Sequence, residues 1–142
     1  AYRTLANGGL HRDVALRPDL PLPPARRVAE AASVHLVAQV LADNAARAAT
    51  FGLDSALATR GFAAVKTGTS KDLRDNWCVG FTDRYTVAVW VGNASGAPMH
   101  AVSGTSGAAP VWRELVAALH AQRPSRAPAP PPGVVVQRVR YA

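Results

Sequence analysis

Cysteine is nearly absent from these 142 residues: Cys78 stands alone. One thiol excludes an internal disulfide framework and any multi-cysteine zinc site, and it leaves the compartment open. Cys78 lies in an apolar stretch, which points to a buried structural thiol. No run of apolar residues is long enough to cross a membrane. The least charged region, Tyr85 to Trp112, is broken by glycines, a proline and polar residues. The four histidines, at 11, 35, 100 and 120, are scattered, and none has a partner at metal-ligand spacing, so neither a metal nor a cofactor is expected. There is no internal repeat. The opening "AYRTLANGGLHRD" has neither an initiator methionine nor a basic region leading into an apolar run, which points to an excised piece.

Acidic residues are also scarce, 9 against 16 lysines and arginines, for a net charge of +7. The excess is concentrated at the end: residues 111–142 carry 5 basic and 1 acidic side chain. A basic tail alone does not make a nucleic-acid binder. Zinc-finger spacing, an RNA-binding aromatic strand and a lysine-rich run are all missing, so these arginines read as solvated. The length and the 49% hydrophobic content suit one globular domain with a core of its own.

Along the chain, "ANGG" at Ala6 to Gly9 stops a helix and turns. The proline-rich "RPDLPLPP", Arg17 to Pro24, can be neither helix nor central strand. From Ala25 to Thr50 the period becomes helical, with Val28, Ala32, Leu36, Val37, Val40 and Leu41 on one expected core face. Gly52 breaks the period. Strands are expected over Phe62 to Thr67, Trp77 to Phe81 and Thr86 to Val91, with "TDR" turning between the last two and Trp77, Val79 and Phe81 alternating on one face. Trp77 and Trp90 read as core aromatics. A glycine-rich loop then leads to a closing helix, with Pro110 in its first turn and Val111, Trp112, Leu115, Val116 and Leu119 as its apolar face. The fold class is α/β: an antiparallel sheet flanked by helices. Residues 1–122 form the main body, 123–133 a proline-rich linker, and 134–142 ("VVVQRVRY" and Ala142) the truncated start of a further domain.

The chemistry lies in "KTGTS". Lys66, Thr67 and Thr69 bring one cation and two hydroxyls to the end of a strand, and Gly68 lets another chain approach the backbone. Together they suit recognition of an anionic group. A phosphate-binding loop is excluded, because glycine must immediately precede its lysine and Val65 does so here. Two readings stay open on residue types alone: solvated residues at a strand end, and part of a serine acyl-transfer site. Arg74 and Asp75, just beyond, read as an ion pair that shapes the loop.

The longer stretch "KTGTSKDLRDNWCVGFTDRYTVAVWVGN" resembles the transpeptidase domain of class A penicillin-binding proteins. The flanking "GAPM", "VSGTSGAAPVWREL", "YRTLANGG" and "LADNAARAATFG" look most like its 1C subgroup. The resemblance runs through residues 1–120 in order and corresponds to the C-terminal half of that domain. It implies a partial penicillin-binding transpeptidase fold whose remaining strands precede this chain, leaving the Thr86 to Val91 edge open. It also implies roles. Lys66 shapes the electrostatics of proton transfer and substrate binding, Thr67 and Thr69 hydrogen-bond the carboxylate of a stem peptide or β-lactam, the Thr69 N–H is an oxyanion donor, and Gly68 gives clearance to the nucleophile helix.

The implied activity is D,D-transpeptidation of peptidoglycan stem peptides at the periplasmic face of the bacterial cytoplasmic membrane, in a protein that also carries a glycosyltransferase domain and a membrane anchor. Its partners would be stem peptides, β-lactams and the rest of the transpeptidase domain. One departure is large: none of the seven serines is followed by lysine at the third position, and no Ser-x-Asn occurs. The nucleophile and its base are therefore expected elsewhere, and this chain alone is expected to be inactive. The competing expectation is a non-catalytic interaction module that uses an exposed edge strand and the basic tail.

Overall fold

The computed structural model describes residues 1–17, 19–52, 55–138 and 140, and the backbone but not the side chains of 49–51. Its centre is a three-stranded antiparallel sheet in chain order: β3 (Ala64–Thr69), β4 (Asp75–Phe81) and β5 (Thr86–Gly92). Before it come α1 (Tyr2–Ala6), the two-residue strands β1 (Leu10–His11) and β2 (Arg26–Arg27), which pair with each other, and α2 (Ala31–Ala42) and α3 (Asn44–Phe51). After it, a short π-helical turn, Gly104–Ala108, runs into α4 (Ala109–Leu119).

The alternation of side chains across the sheet gives it two faces, and each meets a different helix layer. Val65, Cys78 and Val89 face α4, where Trp112 and Val116 complete the larger core with Leu57, Ala108 and Ala109. Ala64 and Phe81 face the other way, onto Ala38 of α2 and the half-buried Tyr2, Leu5 and Leu41. The α/β fold with an antiparallel sheet between helices is as expected. Gly80 seats the Trp112 indole: a Cβ there would lie 2.6 Å from the ring and 2.7 Å from the Ala64 carbonyl oxygen. The indole N–H donates to the Val87 carbonyl at 3.1 Å.

Several expectations are corrected. The single helix over Ala25 to Thr50 is two helices. Arg26 and Arg27 are extended against β1, and Asp43 ends α2 with an extended backbone while its carboxylate caps α3, accepting from the Ala45 and Ala46 N–H groups at 2.8 and 3.1 Å. The buried residues of α2 are Val34 and Ala38; Val28, Leu36, Val37 and Val40 are exposed. This segment is apolar on more than one side, so its period alone did not select the face that meets the sheet. On α4, similarly, Trp112 and Val116 are buried while Val111, Leu115 and Leu119 form an exposed stripe. Trp77 and Trp90 are not core residues. They are 44% and 41% exposed, on the part of the sheet face that α1 and α2 do not reach.

The proline-rich linker is tied back near its start: the Phe62 N–H donates to the Ser125 carbonyl at 3.4 Å, and the Ser125 hydroxyl donates to the Phe62 carbonyl. Residues 134–138 form no strand, and Val135 and Val136 are exposed. Val139, Tyr141 and Ala142 lie outside the described residues. Among the described residues, no helix is long and apolar enough to cross a membrane.

Cys78 is fully buried, and burial pushes its thiol up to about 12. Its folded value is thus raised, so its contribution to stability is complete below the thiol's unfolded range near 8.5 and is lost as pH rises toward 12. We expect a thiol reagent such as Ellman's to leave Cys78 unmodified at pH 8 in the folded chain and to modify it fully in denaturant. Fast modification of the folded chain would contradict this burial.

Candidate functional site

Among the described residues β3 pairs with β4 alone, which makes it an edge of the sheet. The strand runs through Gly68 to Thr69, two residues further than expected, because Gly68 pairs with Trp77 and Thr69 with Asn76. The direction of its backbone groups follows from the next pair. The Ser70 N–H donates to the Asp75 carbonyl at 2.9 Å, and antiparallel pairs alternate between bonded and non-bonded. Lys66, Gly68 and Ser70 are therefore bonded to β4. Thr67 and Thr69 point their N–H and C=O groups away from the sheet, along the free edge.

The side chains divide between the faces. Lys66 shares a face with Val79, Gly68 and Trp77; Thr67 and Thr69 share the other with Cys78 and Asn76. What rejoins them is the length of the lysine side chain. Its ammonium folds over the edge and donates to the Thr67 carbonyl at 2.5 Å, and it makes no salt bridge among the described residues. Thr69 is exposed, and its Oγ1 accepts the Gly104 N–H at 3.0 Å. Gly68 leaves open space on its own face, where a Cβ would meet only the Trp77 Cβ, at 4.0 Å. The result is a cationic edge with outward N–H donors and two threonines, open to solvent. A cleft of about 540 Å³ between α4 and residues 58–61 lies elsewhere. Among the described residues, no group of three potential metal ligands occurs.

The loop after Thr69 is held by a network that the sequence reading missed. Asp75 accepts the Ser70 hydroxyl at 3.1 Å and the Trp90 indole N–H at 2.9 Å, while its own N–H donates to Ser70 Oγ at 2.8 Å. The expected Arg74–Asp75 ion pair does not form; Arg74 pairs with Asp72 at 3.7 Å. Adjacent residues on a strand point to opposite faces, so Asp75 turns to the indole side, where Trp77 and Trp90 lie with ring centroids 6.4 Å apart. Asn76 points the other way and is fully buried. Its Nδ2 donates to the Val102 carbonyl at 2.9 Å and so ties the glycine-rich loop to the sheet. The interlocked sequence signal was Ser70, Asp75 and Trp90, one on each segment of the sheet, but nothing local marks them as partners.

No family model matches the chain. Over 115 residues it is 31% identical to Penicillin-binding protein 1C of Escherichia coli, a match covering 81% of this chain and 14% of that protein. It is 29% identical over 117 residues to Penicillin-binding protein 1A of Pseudomonas aeruginosa, covering 82% and 14%. With Penicillin-binding protein 1A of Clostridium botulinum it shares 35% identity over 74 residues, covering 52% and 9%. The chain is thus related to penicillin-binding proteins over most of its length, and it spans about one-seventh or less of the length of these relatives.

The Asp75–Trp90 bond is testable in this chain through its coupling. Both groups are partly exposed, so we expect a modest interaction of about 0.5–1.5 kcal/mol in a cycle of Asp75→Ala, Trp90→Phe and the double variant, followed by denaturant unfolding. Additive single effects would mean that the bond does not hold the loop.

Proposed function

We propose that this chain is the substrate-binding part of a peptidoglycan D,D-transpeptidase domain, from the C-terminal half of that domain in a class A penicillin-binding protein of the 1C type. The observation that carries the reading is the edge at Lys66 to Thr69. Its outward N–H groups, an ammonium that makes no salt bridge among the described residues and its two threonines suit an extended peptide ending in a carboxylate. The relationship to penicillin-binding proteins supplies the substrate class. The site of action would be the periplasmic face of the cytoplasmic membrane, in a protein that also bears a glycosyltransferase domain.

In this reading the stem peptide adds to the free edge of β3 as a further antiparallel strand, with backbone bonds giving affinity. Lys66 offsets the charge of the terminal carboxylate, and the hydroxyls of Thr67 and Thr69 donate to it. A serine from outside this chain attacks the penultimate D-Ala carbonyl as its proton passes to a base also outside this chain, which later returns that proton to the departing D-Ala amine. As the tetrahedral oxygen becomes an anion, the Thr69 N–H stabilises it, which lowers the barrier because the donor is already in position. Collapse of this intermediate expels D-Ala and leaves an acyl-enzyme, and an amine of a second stem peptide then takes the acyl group and frees the serine. A β-lactam would stop at the acyl stage. Lys66 would also shape the electrostatics of proton transfer, its positive charge favouring the deprotonated form of a neighbouring acid.

In a protein that joins this region to the rest of its transpeptidase domain, Lys66→Ala or Thr69→Ala should each slow acylation by benzylpenicillin about 10- to 150-fold. Such a loss corresponds to one charge-assisted hydrogen bond of roughly 1.5–3 kcal/mol. The midpoint of thermal unfolding should move by only a few degrees. Acylation within twofold of wild type for both variants would overturn the assignment.

The 142-residue chain by itself should not be labelled by fluorescent penicillin on denaturing electrophoresis, since none of its serines is followed by a lysine at the third position. Ser70, the serine nearest the edge in sequence, is engaged with Asp75. A stoichiometric labelled band would contradict this.

A further inference from the structure

The glycine-rich stretch before α4 has no role in the reading above, yet it touches the site. Gly104 is buried, and its N–H donates to Thr69 Oγ1 at 3.0 Å. It lies directly over the bonded Gly68–Trp77 pair of the ladder. A Cβ on Gly104 would come within 2.8 Å of the Gly68 carbonyl oxygen, 2.9 Å of the Trp77 carbonyl oxygen and 3.3 Å of the Gly68 nitrogen. All three are backbone atoms of a paired ladder, so they cannot yield without breaking the sheet. Only glycine brings an N–H this close to the edge strand.

The position of that N–H is fixed from two further directions. Ser103 and Ser106 cap the turn reciprocally: the Ser103 N–H donates to Ser106 Oγ at 2.9 Å and the Ser106 N–H to Ser103 Oγ at 3.2 Å. The buried Asn76 amide, opposite Thr69 on β4, holds the Val102 carbonyl at 2.9 Å.

A threonine hydroxyl has one proton and two lone pairs. When the Gly104 N–H occupies a lone pair, the hydroxyl proton must point away from the turn. Thr69 is exposed, and its proton has no acceptor among the described residues, so that direction leads to the open edge. We propose that Gly104 is a positioning residue: through its N–H it presents the Thr69 hydroxyl as a donor, and so sets the preference of the site for an anionic carboxylate over a neutral group. This rests on the transpeptidase reading of the edge and extends it to a residue far from it in sequence.

The test uses the protein that contains the whole transpeptidase domain and two probes, benzylpenicillin and its neutral methyl ester. The readout is the ratio of their acylation rate constants, which a general loss of activity or of folded protein leaves unchanged. Thr69→Val should lower the ratio by about tenfold, the loss of one charge-assisted hydrogen bond, and Thr69→Ser should restore it. Gly104→Ala should lower it to within about threefold of the Thr69→Val value, and the double variant should fall no further, because both changes remove the same bond. A Gly104→Ala ratio equal to wild type, or a double variant at the product of the single effects, would overturn the proposal. If Gly104→Ala does not fold, the exposed Ser106→Ala decides: a ratio lowered about threefold supports the proposal, and an unchanged one overturns it. A Thr69→Val variant that keeps the wild-type ratio would instead sink the transpeptidase reading itself.

Discussion

The β3–β4 ladder is the constraint on which the rest of the site depends. Its register decides which backbone groups of "KTGT" are consumed inside the sheet and which remain at the edge. Bonding of Ser70 to Asp75 puts Lys66 and Gly68 in the bonded phase and leaves Thr67 and Thr69 free. A one-residue slip of β3 on β4 would reverse this, turn the threonine donors inward and send Val65 to the opposite face. The buried Cys78 and Val65 on one face and the buried Phe81 and Ala64 on the other make such a shift costly. The hydrophobic pattern thereby protects the phase of the edge.

Three glycines let elements approach that ladder. Gly80 admits the Trp112 indole and anchors α4 beneath the sheet. Gly104 admits the turn that precedes α4 onto the Gly68–Trp77 pair. Gly68 leaves the opposite face open beside Trp77. The same helix, α4, is thus held by its indole at one point and delivers an N–H to Thr69 through its leading turn at another. Core packing and edge chemistry share one element.

The edge is also braced laterally. Asp75 links Ser70, just past Thr69, to Trp90 on β5, so the loop that follows β3 is tied to both other strands. The indole N–H of the 41% exposed Trp90 holds the Asp75 carboxylate at 2.9 Å, and Trp77 packs beside it at 6.4 Å between ring centroids.

Much of this was legible in the sequence. The three strands, the Asn7 to Gly9 stop and Pro110 in the first turn of α4 rest on local causes: alternation, β-branched content, and the special backbone freedom of glycine and proline. Lys66, Thr67, Gly68 and Thr69 bring charge and donors to one strand end by residue type alone. The buried faces of α2 and α4 could not. α2 is apolar on more than one side and the apolar face of α4 is broad, and only contact with the sheet chose Val34 and Ala38 over Leu36 and Val40, and Trp112 over Val111. Nor could the partners of Thr69 and Asp75 be read, since Gly104 lies 35 residues from the first and Trp90 15 from the second. The sequence by itself determined which groups are present and the local conformation of the segments that bear them. That the Thr69 hydroxyl accepts from Gly104 was decided only by the tertiary structure, because nothing local links two residues 35 positions apart until the sheet and the turn before α4 pack together.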